Sequence, residues 1–273
     1  MNCDVSVVIP TYNSSGTLRR ALDSIYGQSL VPREIIVVDD GSNDWEQSRL
    51  IAKSFPDTIA LIFIQLEINQ GVSTARNTGI SSARSRYLAF LDSDDIWHTD
   101  KLAIQYSLMT RRNLDLSVHK YGKDMTSSSG DKRHRESSLS SLSSWHPLFR
   151  HDNAATVMVL REKMVLFDTS LRRGEDFKCW MELLSKHRSG CRGVYLPRVL
   201  AGSFKPSIGY SGLSQDVRAM HLSRMQALRK LIHEGGISLP QYLVGSYLET
   251  AKYPIRNMIL WFRNRSISRR RLA

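Results

Sequence analysis

Residues 5–13 read Val-Ser-Val-Val-Ile-Pro-Thr-Tyr-Asn. Val5 to Ile9 is a nearly unbroken β-branched run, the pattern of a strand buried on both faces of a parallel sheet. Pro10 ends it, because proline has no N–H for a ladder. Asn13 or Ser14 then caps a helix that carries Leu18, Ala21, Leu22 and Ile25 at helical spacing. The unit recurs. A strand from Glu34 to Val38 ends in Asp39-Asp40-Gly41-Ser42, before a helix around Trp45 to Phe55. A strand from Ile59 to Leu66, a helix from about Val72 to Ala83 and a strand from Tyr87 to Leu91 follow, the last ending in Asp92-Ser93-Asp94-Asp95. Strands alternating with helices predict an α/β fold on a parallel sheet. Ligands of such sheets sit at the carboxyl ends of the strands. Three of those ends here carry acids or turn formers, so chemistry is expected along one sheet edge.

The chain has 273 residues, enough for one large domain or one domain with a smaller appendage. A hydrophobic fraction of 41% supports a sizeable core. Cys3, Cys179 and Cys191 have no metal-ligand spacing and read as reduced thiols of a cytosolic protein. No basic-flanked apolar leader follows Met1, and the longest apolar run, Ile59 to Ile64, is far too short to span a membrane. A soluble or peripheral protein is expected.

The net charge of +12 is unevenly divided. Residues 1–100 hold eight Lys/Arg against thirteen Asp/Glu, and the remainder thirty against thirteen. An acidic half suits a cation; a basic half suits phosphates or an anionic surface. The second half is less regular. Residues 126–144 are Ser-rich and charged and read as a loop or lid. A strand from Ala155 to Leu160, a helix from Glu175 to Lys186 and a short strand, Val194 to Leu196, stopping before Pro197, are expected next. Helical patterns run from Val217 to His233 and from Leu239 to the end.

Three motifs carry chemistry. Asp92, Asp94 and Asp95 place three carboxylates within four residues, and a divalent cation would relieve their repulsion. A helix cap by Asp94 or Asp95 near His98 accounts for one of them but not all three. Asp39-Asp40-Gly41-Ser42 offers carboxylates to a base N–H or a ribose hydroxyl, although taken alone it reads better as a plain turn and helix cap. In Gly71 to Gly79, small residues allow close packing of a helix on the sheet. Arg76 there either reaches a phosphate or lies on the surface.

In order and spacing, SVVIPTYN (6–13), VVDDGSND (37–44), GVSTARNTGI (71–80), FLDSDD (90–95) and GEDFKCW (174–180) resemble the family 2 glycosyltransferases of the GT-A fold. The resemblance implies a Rossmann-like, mainly parallel sheet flanked by helices. It divides the chain into a catalytic domain, 1–215, and a basic helical extension, 216–273. Within the domain, 1–100 would bind the nucleotide and 101–215 the acceptor and base. It further implies an inverting, metal-dependent transferase using a nucleotide-sugar donor, with Mn²⁺ or Mg²⁺ as cofactor. Pro10, Thr11 and Tyr12 would line the nucleotide pocket, Asp40 would read the uracil edge with Asp39 nearby, and Arg76 would touch the donor. Asp92 would face the ribose, Asp94 would ligate the metal, and Asp176 would be the catalytic base beside Glu175. Lys205 and Ser214 are candidate partners of the diphosphate.

A glycan or polyprenyl-linked saccharide is the implied acceptor, in bacterial capsule, exopolysaccharide or O-antigen assembly, with the enzyme cytoplasmic or peripheral on the inner membrane face. From Thr250 onward there are seven Lys/Arg and no acid, interleaved with apolar residues. That segment suits either an anionic membrane interface or a helix packed on the domain. A dinucleotide oxidoreductase is disfavoured, since no GxGxxG follows the first strand. A non-catalytic protein binding nucleic acid or membrane on the same scaffold explains the basic tail but leaves the acidic edge unexplained, so no nucleic-acid partner is expected.

Overall fold

The computed structural model describes residues 2–122, 139–150, 152–185, 190–203 and 216–271, with side chains up to residue 260. Lys205, Ser214 and residues 126–138 of the Ser-rich stretch lie outside the described residues.

The first half is built from β1 (Cys3–Thr11), α1 (Ser15–Tyr26), β2 (Pro32–Asp39), α2 (Trp45–Lys53), β3 (Ala60–Gln65), α3 (Val72–Ser82) and β4 (Tyr87–Phe90). The second comprises β5 (Asp95–Trp97), α4 (Lys101–Arg112), β6 (Leu116–Tyr121), β7 (Ser140–Ser141), α5 (His146–Phe149), β8 (Val157–Leu160), α6 (Glu175–Leu184), β9 (Gly193–Ser203), α7 (Val217–His233) and α8 (Leu239–Arg271). Among the described residues the strands form one sheet in the order β3-β2-β1-β4-β8-β6-β9-β5, with β7 paired to β9. The block β3-β2-β1-β4 is parallel throughout. Beyond it β8 runs antiparallel to both β4 and β6, and β9 returns parallel to β6.

Alternate side chains of the parallel strands fill two separate cores, as the period of 2 requires. Val5, Val7, Ile9, Ile35 and Val37 pack with Leu18, Ala21, Leu22 and Ile25 of α1. Val8, Ile36 and Val38 face the other way, toward Ala75 of α3 and Cys179, Trp180 and Leu183 of α6. Burying each such aliphatic side chain contributes about 1.5–3 kcal/mol. On this face α3 lies so close to β1 that a Cβ at Gly79 would fall 2.3 Å from Val8 Cγ1.

Three local expectations change. Ser14 is the N-cap residue of α1, but its side chain makes no capping bond: the Ser15 N–H donates instead to Asp44 Oδ2 at 2.9 Å, from the loop after β2. The helix that starts near His98 is capped by neither Asp94 nor Asp95. Asp95 is drawn into β5 by pairing with Ser203, and α4 begins at Lys101 behind Asp100. Strand β9 does not stop before Pro197, because the β6–β9 register jumps from His119↔Leu196 to Lys120↔Val199. That irregularity lets a residue without an N–H sit within the strand.

Helices α6 and α7 share a third core of Leu148, Leu171, Phe177, Met181, Leu228 and Leu231. Among the described residues no helix is long and apolar enough to cross a membrane.

Candidate active site

The parallel register puts Thr11 opposite Asp39 and Val8 opposite Phe90, so the acidic strand ends arrive at one edge. The loops after β1 and β2 are laced together there. Asn13, with φ 47°, receives the Asn43 N–H on Oδ1 at 2.9 Å and donates its own N–H to Ser42 Oγ at 2.8 Å. Ser42 N–H in turn donates to Asp39 Oδ1 at 2.9 Å. Asp39 is fully buried, and its Oδ2, like the Thr11 hydroxyl, has no hydrogen-bond partner among the described residues. Buried polar atoms are usually paired, so two orphans at adjacent strand ends mark the place. Tyr12, next in the chain, is 48% exposed.

Asp40 does something else. Its two oxygens accept the Gln70 and Gly71 N–H groups, each at 2.8 Å, and so brace the loop that enters α3. Gly41 allows the brace: φ is +68°, and a Cβ there would lie 2.5 Å from the Ile68 carbonyl carbon.

Arg76 is turned inward as well. It is 4% exposed, with Nη2 on Asp92 Oδ1 at 2.8 Å and Nη1 on Glu175 Oε1 at 2.9 Å. Its guanidinium lies over the Phe167 ring, 5.2 Å from the centroid. Burial opposes its charge, but Asp92 and Glu175 outweigh it and hold its pKa up. The bridge fastens the start of α6 to the end of β4, and Asp176 lies near enough for its charge to act on Arg76. Gly174 at φ 71° turns the chain into α6 just before Glu175. Burial, with the Asp176 charge adding to it, pushes Glu175 up to about 7. Asp176 is half-buried, and its Oδ1 accepts the Phe177 N–H at 2.7 Å.

Asp95, the third carboxylate of the cluster, has a partner that the motifs did not name. It is buried and accepts the Tyr121 hydroxyl on Oδ1 at 2.7 Å. Burial, then the nearby charge of Asp92, raises its pKa to about 8. The available signal was the alternation Leu116-Ser117-Val118-His119, which marks β6 and with it Tyr121.

Among the described residues no three His, Cys, Asp or Glu side chains converge as a protein-only metal site. Mg²⁺ and Mn²⁺ do not need one, since they bind through one or two carboxylates completed by substrate phosphates. Asp92 is partly open, with Oδ1 on Arg76, and Asp94 is half-buried at the same strand end. This oxygen set fits a hard cation.

Comparison with known proteins places this geometry. The UDP-Glc:alpha-D-GlcNAc-diphosphoundecaprenol beta-1,3-glucosyltransferase WfgD of Escherichia coli is 35% identical over 117 residues, 43% of this chain and 45% of that protein. Among solved structures, the mannosyltransferase PcManGT of Pyrobaculum calidifontis, in complex with GDP-Man and Mn²⁺, superposes with a TM-score of 0.67 at 20% identity, covering 94% of this chain and 74% of the other. Staphylococcus aureus TarS in complex with UDP-GlcNAc gives 0.66 at 19%, covering 85% and 67%. The fold is thus that of the GT-A glycosyltransferases. The chain spans 31% to 58% of the length of several curated relatives it matches. Residues 6–172, more than half of the sequence, match the model for glycosyl transferase family 2, and it is to this family that the chain belongs.

Proposed function

We propose that the chain transfers a sugar, with inversion, from a nucleoside diphosphate donor, a UDP-sugar, to a hydroxyl of a glycan or polyprenyl-linked saccharide in cell-surface polysaccharide assembly at the cytoplasmic face of a membrane. The observation that carries this reading is the Arg76 bridge, which joins Asp92 to the helix start bearing Asp176. The acceptor half and the nucleotide half thereby meet at one sheet edge. WfgD, by its name, acts on a diphosphoundecaprenol-linked sugar, which supports the acceptor class.

Pro10, Thr11 and Tyr12 line the nucleotide pocket. Base recognition is assigned to Asp39, whose Oδ2 is unpartnered among the described residues, and loop bracing to Asp40. Asp92 faces the ribose and Asp94 holds the cation. When bound, Mn²⁺ or Mg²⁺ offsets the charge gathering on the departing diphosphate. Arg76 positions and does not touch the donor. The acceptor oxygen forms its bond to the anomeric carbon as the bond to the diphosphate oxygen breaks. The bonding pair leaves with the nucleotide, and the hydroxyl proton passes to the Asp176 carboxylate. The catalytic domain is assigned to residues 1–215 and the basic helical extension to 216–273.

The test is nucleotide release by purified protein with Mn²⁺ and a panel of UDP-sugars, with UDP binding read by thermal shift. Asp176→Asn should keep UDP binding and lose about 10²–10⁴ in turnover. Asp94→Asn should lose the metal-dependent part of UDP binding. Near-normal turnover by Asp176→Asn would remove the base from this reading.

A further inference from the structure

The described part of α8 is inside out for a surface helix. Leu239, Leu243, Tyr247, Ile255, Met258 and Ile259 are 49–73% exposed along it. Its charged residues up to residue 260 are Glu249, Lys252 and Arg256, and these lie on the inward side. Glu249 is buried within 3.0 Å of Arg256 and 3.7 Å of Lys252, and Lys252 Nζ also donates to the Leu148 carbonyl. Water is the ordinary neighbour of an exposed helix face, and charges normally populate it. Here that face carries none.

The same helix continues to Arg271. Its sequence beyond residue 260 supplies Arg263, Arg265, Arg269, Arg270 and Arg271, two aromatics, Trp261 and Phe262, and no acid. An apolar stripe running on into concentrated positive charge matches one surface in particular. A lipid interface takes the apolar side chains into its acyl boundary while anionic headgroups meet the arginines. Pairing two copies of this chain through the stripe would instead bring ten arginines into one assembly, with no acid among them to offset the repulsion. The helix is too polar to span a bilayer.

We propose that the outward face of α8 is an in-plane docking surface for an anionic phospholipid bilayer, with the arginine segment supplying headgroup attraction. The inference stands apart from the donor and acceptor assigned above, and its test needs neither.

The full chain is sedimented with phosphatidylcholine vesicles and with vesicles containing about one-third phosphatidylglycerol, without nucleotide sugar. Binding should require phosphatidylglycerol and be released by high salt. Leu243→Glu with Tyr247→Glu, both at exposed positions, should bind at least ~10-fold more weakly with an unchanged melting temperature. Replacing Arg269, Arg270 and Arg271 by Gln should weaken binding by a similar factor. Equal binding to both vesicle types, or binding to neither, overturns the proposal. So does a concentration-dependent dimer that the Leu243→Glu, Tyr247→Glu variant abolishes.

Discussion

Arg76 keeps its charge where water scarcely reaches, held between Asp92 and Glu175. Glu175 answers to two opposing fields: Arg76 favours its ionised form, while burial and the adjacent Asp176 disfavour it more and raise it to about 7. The sign for stability follows by linkage. A carboxyl whose folded pKa exceeds its unfolded value of about 4.3 contributes stability that is complete below the unfolded value. That stability is lost as pH rises through about 7. Glu175→Gln cannot ionise, so its melting temperature minus that of the wild type should increase from pH 5 to pH 8. The slope is the readout, because a lost ion pair shifts only the offset. A flat difference would mean that Arg76 holds Glu175 ionised throughout. Spacing alone left Arg76 open between a phosphate contact and a surface position. Its partners come from elements 16 and 99 residues away, and no local pattern encodes that pairing.

Helix α3 reaches the site because it lies hard against β1. Gly79 permits this, and the contact is with a buried valine. Gly79→Ala should therefore destabilise the fold by about 1–3 kcal/mol through overpacking, measured by urea unfolding. Trimming the facing side chain should recover much of the loss, so Gly79→Ala with Val8→Ala should cost less than the sum of the two single changes. Strict additivity would show that the close approach is relaxed elsewhere. Elements of this kind were legible where one period dominated. Val217–His233 was readable to its limits, and the strand-helix alternation of residues 5–91 survives in the structure. Strand β6 carries only the short alternation Leu116-Ser117-Val118-His119, which Lys120 breaks, so its place and length could not be read from that signal alone. Its place in the sheet is set by β8 and β9, distant in sequence. Asp95 shows the same limit: its pairing with β9 decides its structure over any capping preference.

At the scale of the whole molecule, α6 packs on the sheet through an apolar core, while the helical layer α6-α7-α8 is tied together by a small number of charges. In that layer Lys178 of α6 meets Glu182 at 2.7 Å and Glu234, beyond the end of α7, at 2.8 Å. Glu249 of α8 sits 3.8 Å from Arg224 of α7, itself stacked over Phe177 of α6 at 4.4 Å. Burial opposes the charge of Glu249, but Arg224, Arg256 and Lys252 prevail and lower its pKa. A depressed carboxyl contributes stability above its unfolded value, and that stability is lost as pH falls through the folded one. Removing its charge takes from Arg224, only 7% exposed, the carboxylate 3.8 Å away. The cost of breaking a buried pair runs to about 3–5 kcal/mol, and the partial exposure of Lys252 and Arg256 reduces it here to roughly 2–3. Because α8 rests on α7 and not on the parallel block, that cost should fall on local opening more than on global unfolding. Glu249→Gln should therefore raise amide exchange in α7 and α8 by about a hundredfold near neutral pH while β1, β2 and β4 stay protected. The wild type should approach the same pattern on acidification below the unfolded carboxyl value of about 4.3. Exchange rising equally in the strands would instead make the helical layer and the catalytic sheet one cooperative unit, and α8 could not then yield on its own.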